Sequence, residues 1–289
     1  MTQGPKKPAV LVTGVSSGIG QAIAEDLLAH GYRVFGSVRR EADAASLIAR
    51  GGECFVPLVL DVTEPSSLEH AVDQVRLLLD GRALHGLVNN AGVSFAGPIL
   101  LQPIEEVRKI FEVNVLGLLA VTRAFVPLMT GNAASGESPG RIVNISSVSG
   151  GITVPFLTAY AGSKHAVEAI SQGLRRELMP YGIHVASIQP GFIQSRLFEK
   201  AQACGPDHQY VDTDYSVLWQ RFNQSLRQQE QKAKPAQCVA QTVRLALQAS
   251  RPRTRYPLDV LWYLGKVLPN RLFDRLIFKA LGIDRLIRG

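Results

Sequence analysis

Cysteine is scarce in this chain, because its 289 residues include only Cys54, Cys204 and Cys238, and these form no C-x-x-C pair. Three widely spaced cysteines cannot build a disulfide framework, so a reducing compartment, the cytoplasm, is expected. The N-terminus lacks the pattern of a signal peptide, and no uninterrupted run of about 18 apolar residues is present. Neither a cleaved leader nor a membrane span is therefore predicted.

Charged side chains are also few, at 19% of residues against 46% hydrophobic ones, which is typical of a globular chain and excludes a disordered one. No linker long enough to separate domains is visible, so one domain is expected. The formal charge is +7, and residues 251–289 hold nine Lys or Arg against three Asp. The basicity thus belongs to the C-terminal end, and no nucleic-acid partner is predicted. The six histidines lack metal-ligand spacing, so no metal site is predicted.

Apolar runs alternate with helical patterns along most of the chain. Strands are predicted at 8–13, 33–38, 54–60, 84–89, 140–146, 183–189 and near 256–259, and helices at 18–30, 41–50, 65–79, 103–130 and 158–180. This alternation predicts an α/β fold with a doubly wound parallel sheet and helices on both faces. Residues 1–255 would form this body, and residues 256–289 would form a basic, amphipathic helical extension.

The first apolar run ends in a glycine-rich turn, Gly14-Val-Ser16-Ser17-Gly18-Ile19-Gly20, before a helical pattern. Glycine lets the backbone approach a pyrophosphate closely, and the first amide groups of the helix favour negative charge. The spacing G-x-x-x-G-x-G differs from the G-x-G-x-x-G of many dinucleotide sites. The turn indicates a phosphate site, with an ordinary tight turn as the alternative.

Tyr160 and Lys164 stand four residues apart at the start of a helical pattern, and Ser147 follows the apolar run 140–146. Residues four apart share one helix face, so the phenol and the ammonium would point into the same space. A hydroxyl at a strand end can meet them there. The ammonium would lower the pKa of Tyr160 from its ordinary value of about 10, which lets the tyrosine act as acid or base.

These motifs, in this order, resemble the motifs of the short-chain dehydrogenase/reductase family. They are Thr13-Gly14-x-x-x-Gly18-Ile19-Gly20, Asn89-Asn90-Ala91-Gly92, Asn114, Ser147, Tyr160-x-x-x-Lys164 and Pro190-Gly191. The segment 167–178 further resembles the branch that contains retinol and hydroxysteroid dehydrogenases. The resemblance implies a Rossmann-type fold and an NAD(P)-dependent oxidoreductase that interconverts an alcohol and its ketone or aldehyde by hydride transfer.

The resemblance also assigns catalytic roles to four residues. Tyr160 would exchange a proton with the substrate oxygen, and Ser147 would hydrogen-bond that oxygen. Lys164 would bind the nicotinamide ribose and lower the pKa of the tyrosine. Asn114, inside the predicted helix 105–129, would hold a water that links Lys164 to solvent, although a local kink would also explain an asparagine inside a helix.

For the cofactor, the resemblance assigns contacts to the glycine-rich turn, to the ends of later strands and to the catalytic helix. These residues are Gly14, Ser16, Ser17, Gly18, Ile19, Gly20, Asp61, Val62, Asn90, Tyr160, Lys164, Pro190, Gly191 and Ile193. Asp61 matches the adenine position, or it could cap the helix that begins near Pro65. The usual threonine of the nicotinamide segment is replaced by Gln194-Ser195, and Ser195 is expected to substitute for it.

The end of the second strand favours NADP(H) over NAD(H). An acidic residue about 20 residues beyond the glycine turn would hold the ribose hydroxyls, whereas an arginine accommodates a 2′-phosphate. This chain has Val38 where an aspartate would stand, followed by Arg39 and Arg40. A guanidinium matches a phosphate in two-point geometry. The alternative is that both arginines are solvated residues at the start of a helix.

Two other classes compete with this interpretation. The stretch Gly14-Val-Ser16-Ser-Gly18 matches G-x-S-x-G, the nucleophile elbow of α/β-hydrolases, which would make Ser16 a nucleophile. No histidine in a convincing strand-end loop follows it. The other alternative is a nucleotide-sensing protein that keeps the fold without turnover, but such a protein would not need Ser147, Tyr160 and Lys164 together.

Residues 192–232 are expected to form a lid over the substrate. The lid is apolar and aromatic, with Leu197, Phe198, Tyr210, Tyr215, Leu218, Trp219 and Phe222, and this favours lipophilic alcohols or ketones. Residues 269–281 predict a helix with one apolar face and one basic face. That helix would pack over the active site, contact a second subunit or lie on an anionic bilayer. A homodimer or homotetramer through the helices near 103–130 and 158–180 is implied by the resemblance.

Overall fold

The computed structural model describes residues 7–131, 138–194 and 210–282. Its strands form one parallel sheet in the order β3-β2-β1-β4-β5-β6-β7. The strands are β1 (Ala9–Val12), β2 (Arg33–Val38), β3 (Phe55–Val59), β4 (Gly86–Asn89), β5 (Arg141–Ile145), β6 (His184–Gln189) and β7 (Arg255–Pro257). The helices are α1 (Gly18–Ala29), α2 (Ala45–Gly51), α3 (Pro65–Leu79), α4 (Ile104–Phe111), α5 (Leu118–Phe125), α6 (Thr158–Glu177), α7 (Ser216–Gln231), α8 (Gln237–Gln248), α9 (Leu261–Val267) and α10 (Asn270–Ala280).

The sheet is covered on both faces because alternate residues of each strand point to opposite sides. In β1, Val10 and Val12 belong to the core formed with α1 and α8, whereas Leu11 belongs to the core formed with α3 and α5. Strand order reverses between β1 and β4, which is where ligands bind in open sheets of this kind. The predicted doubly wound α/β fold is confirmed.

Predicted and observed strand bounds agree within two residues for β1 to β6. Helices α7 and α8 were not predicted. Helix α8 carries Val239, Ala240, Val243 and Leu247 on its buried side. This spacing has the period of a helix and is visible in the sequence. The predicted lid, 192–232, includes α7, and residues 195–209 with Leu197 and Phe198 lie outside the described ranges. Ser195 lies outside them as well.

The predicted helix 103–130 is interrupted by one wide turn. Residues 112–117 follow a π-helical path between α4 and α5, and Asn114 lies in that segment. The stretch Ile104–Leu128 has a mean hydropathy of 1.5 over 18 residues, with 44% of that window buried. Its length and composition would suit a membrane span, but the same test is passed by buried core helices of soluble proteins.

A series of hydrogen bonds between buried polar side chains fixes β4 and β5 near their carboxyl ends. The Asn89 side-chain amide donates to Thr122 Oγ1 and to Asn144 Oδ1, both at 2.9 Å. The Asn144 amide in turn donates to Ser171 Oγ at 2.8 Å. These bonds join β4 and β5 to α5 and α6. Buried donors with partners of this kind stabilise one specific arrangement of the elements.

The C-terminal extension packs onto the loop after β5. Trp262 of α9 is buried, and its ring lies where a side chain on Gly151 would collide with it. Gly265 lies against Ile152 so closely that a methyl group there would not fit. Helix α10 follows, and none of its residues is fully buried. The extension is thus anchored through α9, while α10 lies across a cavity at the carboxyl ends of the strands.

Candidate active site

A cavity of about 920 Å³ lies at the carboxyl ends of the strands. Its lining includes every residue of the described ranges that the sequence assigned to the cofactor. These are Gly14, Ser16, Ser17, Gly18, Ile19, Gly20, Arg39, Asp61, Val62, Asn90, Tyr160, Lys164, Pro190, Gly191 and Ile193. Ser147 lines the cavity too, whereas Asn114 does not belong to the lining. One space therefore joins the glycine-rich turn to the serine, tyrosine and lysine.

The glycine-rich turn makes a cradle that side chains would fill. Gly14 and Gly18 have φ angles of 71° and 60°, which L-residues rarely adopt. A methyl group on Gly20 would collide with the carbonyl group of Gly14 and with the side chain of Asn90. Helix α1 begins at Gly18, so its first N–H groups face the cradle. This geometry fits the pyrophosphate of a dinucleotide.

The two arginines after β2 have different surroundings. Arg40 forms an ion pair with Asp43 at 2.8 Å and does not line the cavity. That pairing raises the pKa of Arg40, mainly through its side-chain hydrogen bond. Arg39 is exposed and lines the cavity, and within the described ranges it makes no ion pair. Arg39 is therefore the guanidinium that could meet a phosphate on the ribose.

Asp61 and Val62 follow β3 at the same edge. Asp61 Oδ1 accepts hydrogen bonds from the Thr63 N–H at 3.0 Å and the Thr63 hydroxyl at 2.7 Å. Glu64 stands at the N-cap of α3 without a side-chain hydrogen bond, so neither Asp61 nor Thr63 caps that helix. Asp61 thus holds the loop in shape while it lines the cavity, and the helix-cap alternative is wrong.

Asn90 joins β4 to the glycine-rich turn. Its side-chain amide donates to the carbonyl groups of Thr13 at 2.8 Å and Gly14 at 3.1 Å. The Thr13 hydroxyl accepts from the N–H groups of Asn90 and Ala91, both at 2.9 Å. Ser37 Oγ accepts from the Gly14 N–H at 2.9 Å. These roles of Thr13 and Ser37 were not predicted from the sequence, because the bonds cross between strands.

Ser147, Tyr160 and Lys164 converge deep in the cavity, and each is less than a tenth exposed. Ser147 follows β5 and its Oγ accepts from the Ser149 N–H at 3.1 Å. Tyr160 and Lys164 lie on the first turns of α6. The Lys164 ammonium donates to the Ile145 carbonyl group at 2.9 Å and lies 5.8 Å from the centroid of the Tyr160 ring.

Burial raises the pKa of Tyr160 to about 12, and a hydrogen bond with Ser147 acts in the opposite direction. The prediction that Lys164 lowers this pKa is wrong for the protein as it stands. The cost of burying a phenolate dominates, the hydrogen bond with Ser147 is what opposes it, and the Lys164 ammonium is engaged by a carbonyl group. At neutral pH the tyrosine is therefore protonated, which is the form that donates.

Burial also lowers the pKa of Lys164 to about 8, and the charge of Glu168 opposes that shift. Glu168 lies one helical turn beyond Lys164 and is itself buried. Its carboxylate accepts from Arg255 Nε at 2.9 Å and from Gln189 Nε2 at 2.8 Å. These bonds fix the position of the carboxylate one helical turn from the lysine.

Asn114 acts through the loop after β4. Its Oδ1 accepts from the Val93 N–H at 2.8 Å, and its amide donates to the Val93 carbonyl group at 2.9 Å and to Ser163 Oγ at 3.0 Å. These bonds use both amide hydrogens, and they explain why an asparagine stands within a helix. The side chain ties α6 to the loop 90–93 that lines the cavity.

The segment after β6 closes the cavity on another side. The carbonyl group of Pro190 accepts from the Val148 N–H at 2.8 Å. A side chain on Gly191 would collide with Asp259, and Ile193 pairs with Lys234 in a short parallel bridge. Ser146, whose buried hydroxyl finds no partner among the described residues, also lines this region and was not foreseen from the sequence.

The far wall of the cavity is apolar and comes from the loop after β5 and from α7, α9 and α10. It includes Ile152, Val154, Leu157, Phe222, Leu226, Leu261, Leu264, Leu268, Phe273, Leu276, Ile277, Ala280 and Leu281. Trp219 and Phe222 stack with centroids 5.6 Å apart against Phe156. Packing over the active site, one of the arrangements expected for the C-terminal helix, is what α10 does here.

The hydrolase alternative finds no support in this geometry. Ser16 is exposed in the glycine-rich turn, and no histidine of the described ranges lines its cavity. A serine nucleophile needs a histidine base within hydrogen-bond reach. Nor do three His, Cys, Asp or Glu side chains among the described residues come together as metal ligands would.

Comparison with known proteins gives the family. A family model described as short chain dehydrogenase matches residues 8–204. The chain belongs to the short-chain dehydrogenase family. It is similar to an NADPH-dependent 3-dehydrocapnine reductase of Ornithobacterium rhinotracheale, with 39% identity over 94% of this chain and 96% of that one. It is also similar to mouse retinol dehydrogenase 16, with 32% identity over 93% of this chain and 87% of that one.

Among solved structures, a short-chain dehydrogenase from Streptomyces avermitilis matches with a TM-score of 0.74 and 29% identity, covering 99% of this chain and 100% of that one. The fold of this short-chain dehydrogenase is therefore that of its family, and the chain is an oxidoreductase of alcohols or ketones.

Proposed function

We propose that this protein is an NADPH-dependent reductase of lipophilic ketones or aldehydes, with Tyr160 as proton donor. The observation that carries the proposal is the convergence of Ser147, Tyr160 and Lys164 in one cavity, with the glycine cradle at one end and an apolar wall at the other. A cytoplasmic location goes with this proposal, in keeping with the free thiols of Cys54 and Cys238.

The preference for NADPH rests on charge at the end of β2. No carboxylate stands at Val38, and Arg39 lines the cavity while Arg40 is paired with Asp43. A guanidinium that lacks a carboxylate partner gains most from a 2′-phosphate. The similar reductase of Ornithobacterium rhinotracheale is named as NADPH-dependent, which supports the same preference.

In the proposed reaction, the bound nicotinamide supplies the hydride. Ser147 Oγ accepts from the Ser149 N–H and is hydrogen-bonded to Tyr160, so its hydroxyl would turn to the substrate oxygen beside the tyrosine when substrate binds. Tyr160 is protonated at neutral pH and gives its proton to that oxygen as negative charge develops there. The Lys164 ammonium, 5.8 Å from the centroid of the Tyr160 ring, lies beside the phenolate that results.

The substrate class follows from the far wall. That wall offers Leu264, Leu268, Phe273 and Ile277 and few polar groups, so burial of an apolar chain or ring would supply the binding free energy. One similar protein is named as a reductase of 3-dehydrocapnine and another as a retinol dehydrogenase.

Calorimetric titration with NADPH and NADH tests the cofactor preference. We expect NADPH to bind more tightly than NADH. Arg39→Ala should lower the affinity for NADPH by about tenfold or more and leave the affinity for NADH unchanged. Arg40→Ala is the matched control and should change neither affinity. Equal loss of both cofactors in Arg39→Ala, or an effect of Arg40→Ala of the same size, would contradict the assignment.

An NADPH-oxidation assay with medium-chain ketones, aromatic ketones and retinal then tests the chemistry. Turnover of an apolar carbonyl is expected. Tight NADPH binding without turnover of any of them would favour the alternative of a nucleotide-sensing protein.

A further inference from the structure

The outer side of α9 is apolar and faces solvent. Val260, Tyr263 and Val267 are 66%, 57% and 80% exposed, and their spacing places them on one stripe. The opposite side of the helix is the one that Trp262 and Gly265 bury against the body. Soluble monomers rarely expose contiguous apolar patches that serve no contact.

Helix α10 continues this surface and adds positive charge. Leu272 and Leu276 are 46% and 47% exposed. Leu276 also borders the cavity, together with the neighbouring Phe273 and Ile277, whereas Leu272 does not. At 100° per residue, Arg271, Arg275 and Lys279 form a row immediately beside the two leucines. All three cations are exposed. The helix thus presents exposed leucines flanked by cations on one side and by the cavity on the other.

We propose that the outer faces of α9 and α10 dock on the surface of an anionic phospholipid bilayer. The leucines, valines and Tyr263 would enter the boundary between headgroups and acyl chains, and the cationic row would lie at the level of the phosphates. Charge decides against a second copy of the chain. In a twofold contact between two copies the same patch meets itself, and the two cationic rows would repel each other.

Docking would place the cavity at the membrane surface. The same C-terminal segment contributes Leu264, Leu268, Phe273 and Ile277 to the cavity wall. A molecule dissolved in the bilayer would therefore have a short apolar path to Tyr160, a consequence that rests on the proposed function. Docking itself does not depend on that function, and it is measured without substrate.

The test is flotation of the full-length protein, loaded with NADPH, with vesicles of phosphatidylcholine alone or with about a third phosphatidylserine. We expect binding to the anionic vesicles, at least about tenfold weaker binding to neutral ones, and loss of binding as salt is raised. Substituting Val260→Ser, Tyr263→Ser and Val267→Ser together should lower binding to anionic vesicles by about tenfold or more. Arg271→Glu with Arg275→Glu should abolish it.

The matched control replaces exposed apolar residues elsewhere. Leu77 on α3 and Leu245 on α8 are 78% and 56% exposed, and Leu77→Ser with Leu245→Ser should leave vesicle binding unchanged. All variants should keep wild-type NADPH affinity, and the charge-reversal pair stands as the test if the serine variant does not fold. Absence of binding to anionic vesicles would overturn the proposal. So would vesicle binding that the charge reversal leaves intact, or a concentration-dependent dimer that the serine variant dissociates.

Discussion

The catalytic edge, meaning Ser147, Tyr160 and Lys164, and the C-terminal pair, meaning α9 and α10, line the same cavity but are held in place by different means. The edge is buried and fixed by hydrogen bonds to backbone groups. The pair is attached through Trp262 and Gly265, and α10 buries no residue completely. Chemistry thus depends on a rigid arrangement at the strand ends, whereas the walls that meet the substrate can change without disturbing it.

The largest expected effect comes from the edge. Tyr160→Phe removes the proton donor and keeps the ring, so kcat for ketone reduction should fall about a thousandfold or more. NADPH affinity should change little, which calorimetry would check. A variant with more than a tenth of wild-type turnover would show that another group supplies the proton and that the chemistry does not depend on Tyr160.

Asn114→Ala tests how firmly the edge is supported. The change leaves the Val93 N–H and carbonyl groups and the Ser163 hydroxyl without their shared partner, so the free energy of unfolding should fall by about 2–4 kcal/mol. Denaturant titration measures it. Glu112→Ala, at an exposed position of the same π-helical segment, is the control and should stay within about 0.5 kcal/mol. An equally small loss for Asn114→Ala would mean that the hydrogen bonds of Asn114 to Val93 and Ser163 do not stabilise the folded protein.

Lys164→Met tests the buried charge of the edge through pH. The folded-state pKa of about 8 lies below the ordinary 10.5, so the unfolded chain binds the proton more tightly. The penalty for burying the ammonium is therefore fully present below pH 8 and disappears as pH rises toward 10.5. Between pH 7 and 10, the free energy of unfolding of the wild type should rise by on the order of 2 kcal/mol relative to that of the methionine variant.

Denaturant titrations of both proteins across that pH range measure the difference. If the two stabilities keep a constant gap at all pH values, the pKa of Lys164 is not shifted in the folded protein.

The smallest effect is expected in the C-terminal pair. Ile277→Ala removes part of the apolar wall and widens the cavity, so the substrate loses apolar contacts. KM for an apolar ketone should rise several-fold with kcat nearly unchanged. Stability should fall by less than about 1 kcal/mol because α10 contains no fully buried residue. A large loss of kcat would show that the pair helps to position the catalytic edge.

How well the sequence predicts each region follows the same division. The strands, the glycine cradle and the residues at the cavity are specified by local patterns, and β2 and α3 were predicted with their exact bounds. Helix α8 was missed although Val239, Val243 and Leu247 show its period. A local kink at Asn114 was one alternative from the sequence, because asparagine is unfavourable inside a helix. The direction of the Tyr160 pKa shift depends on burial between distant segments, which no local pattern contains.

The most direct measurement is isotope transfer. The protein would be incubated with an apolar ketone and NADPH carrying deuterium at both positions of nicotinamide C4, and the alcohol would be analysed by mass spectrometry. Hydride transfer at the catalytic edge predicts one deuterium, at the carbon that bears the new hydroxyl group. If NADPH binds tightly and yet no ketone or aldehyde of the panel yields a deuterated alcohol, the proposed reductase chemistry is contradicted.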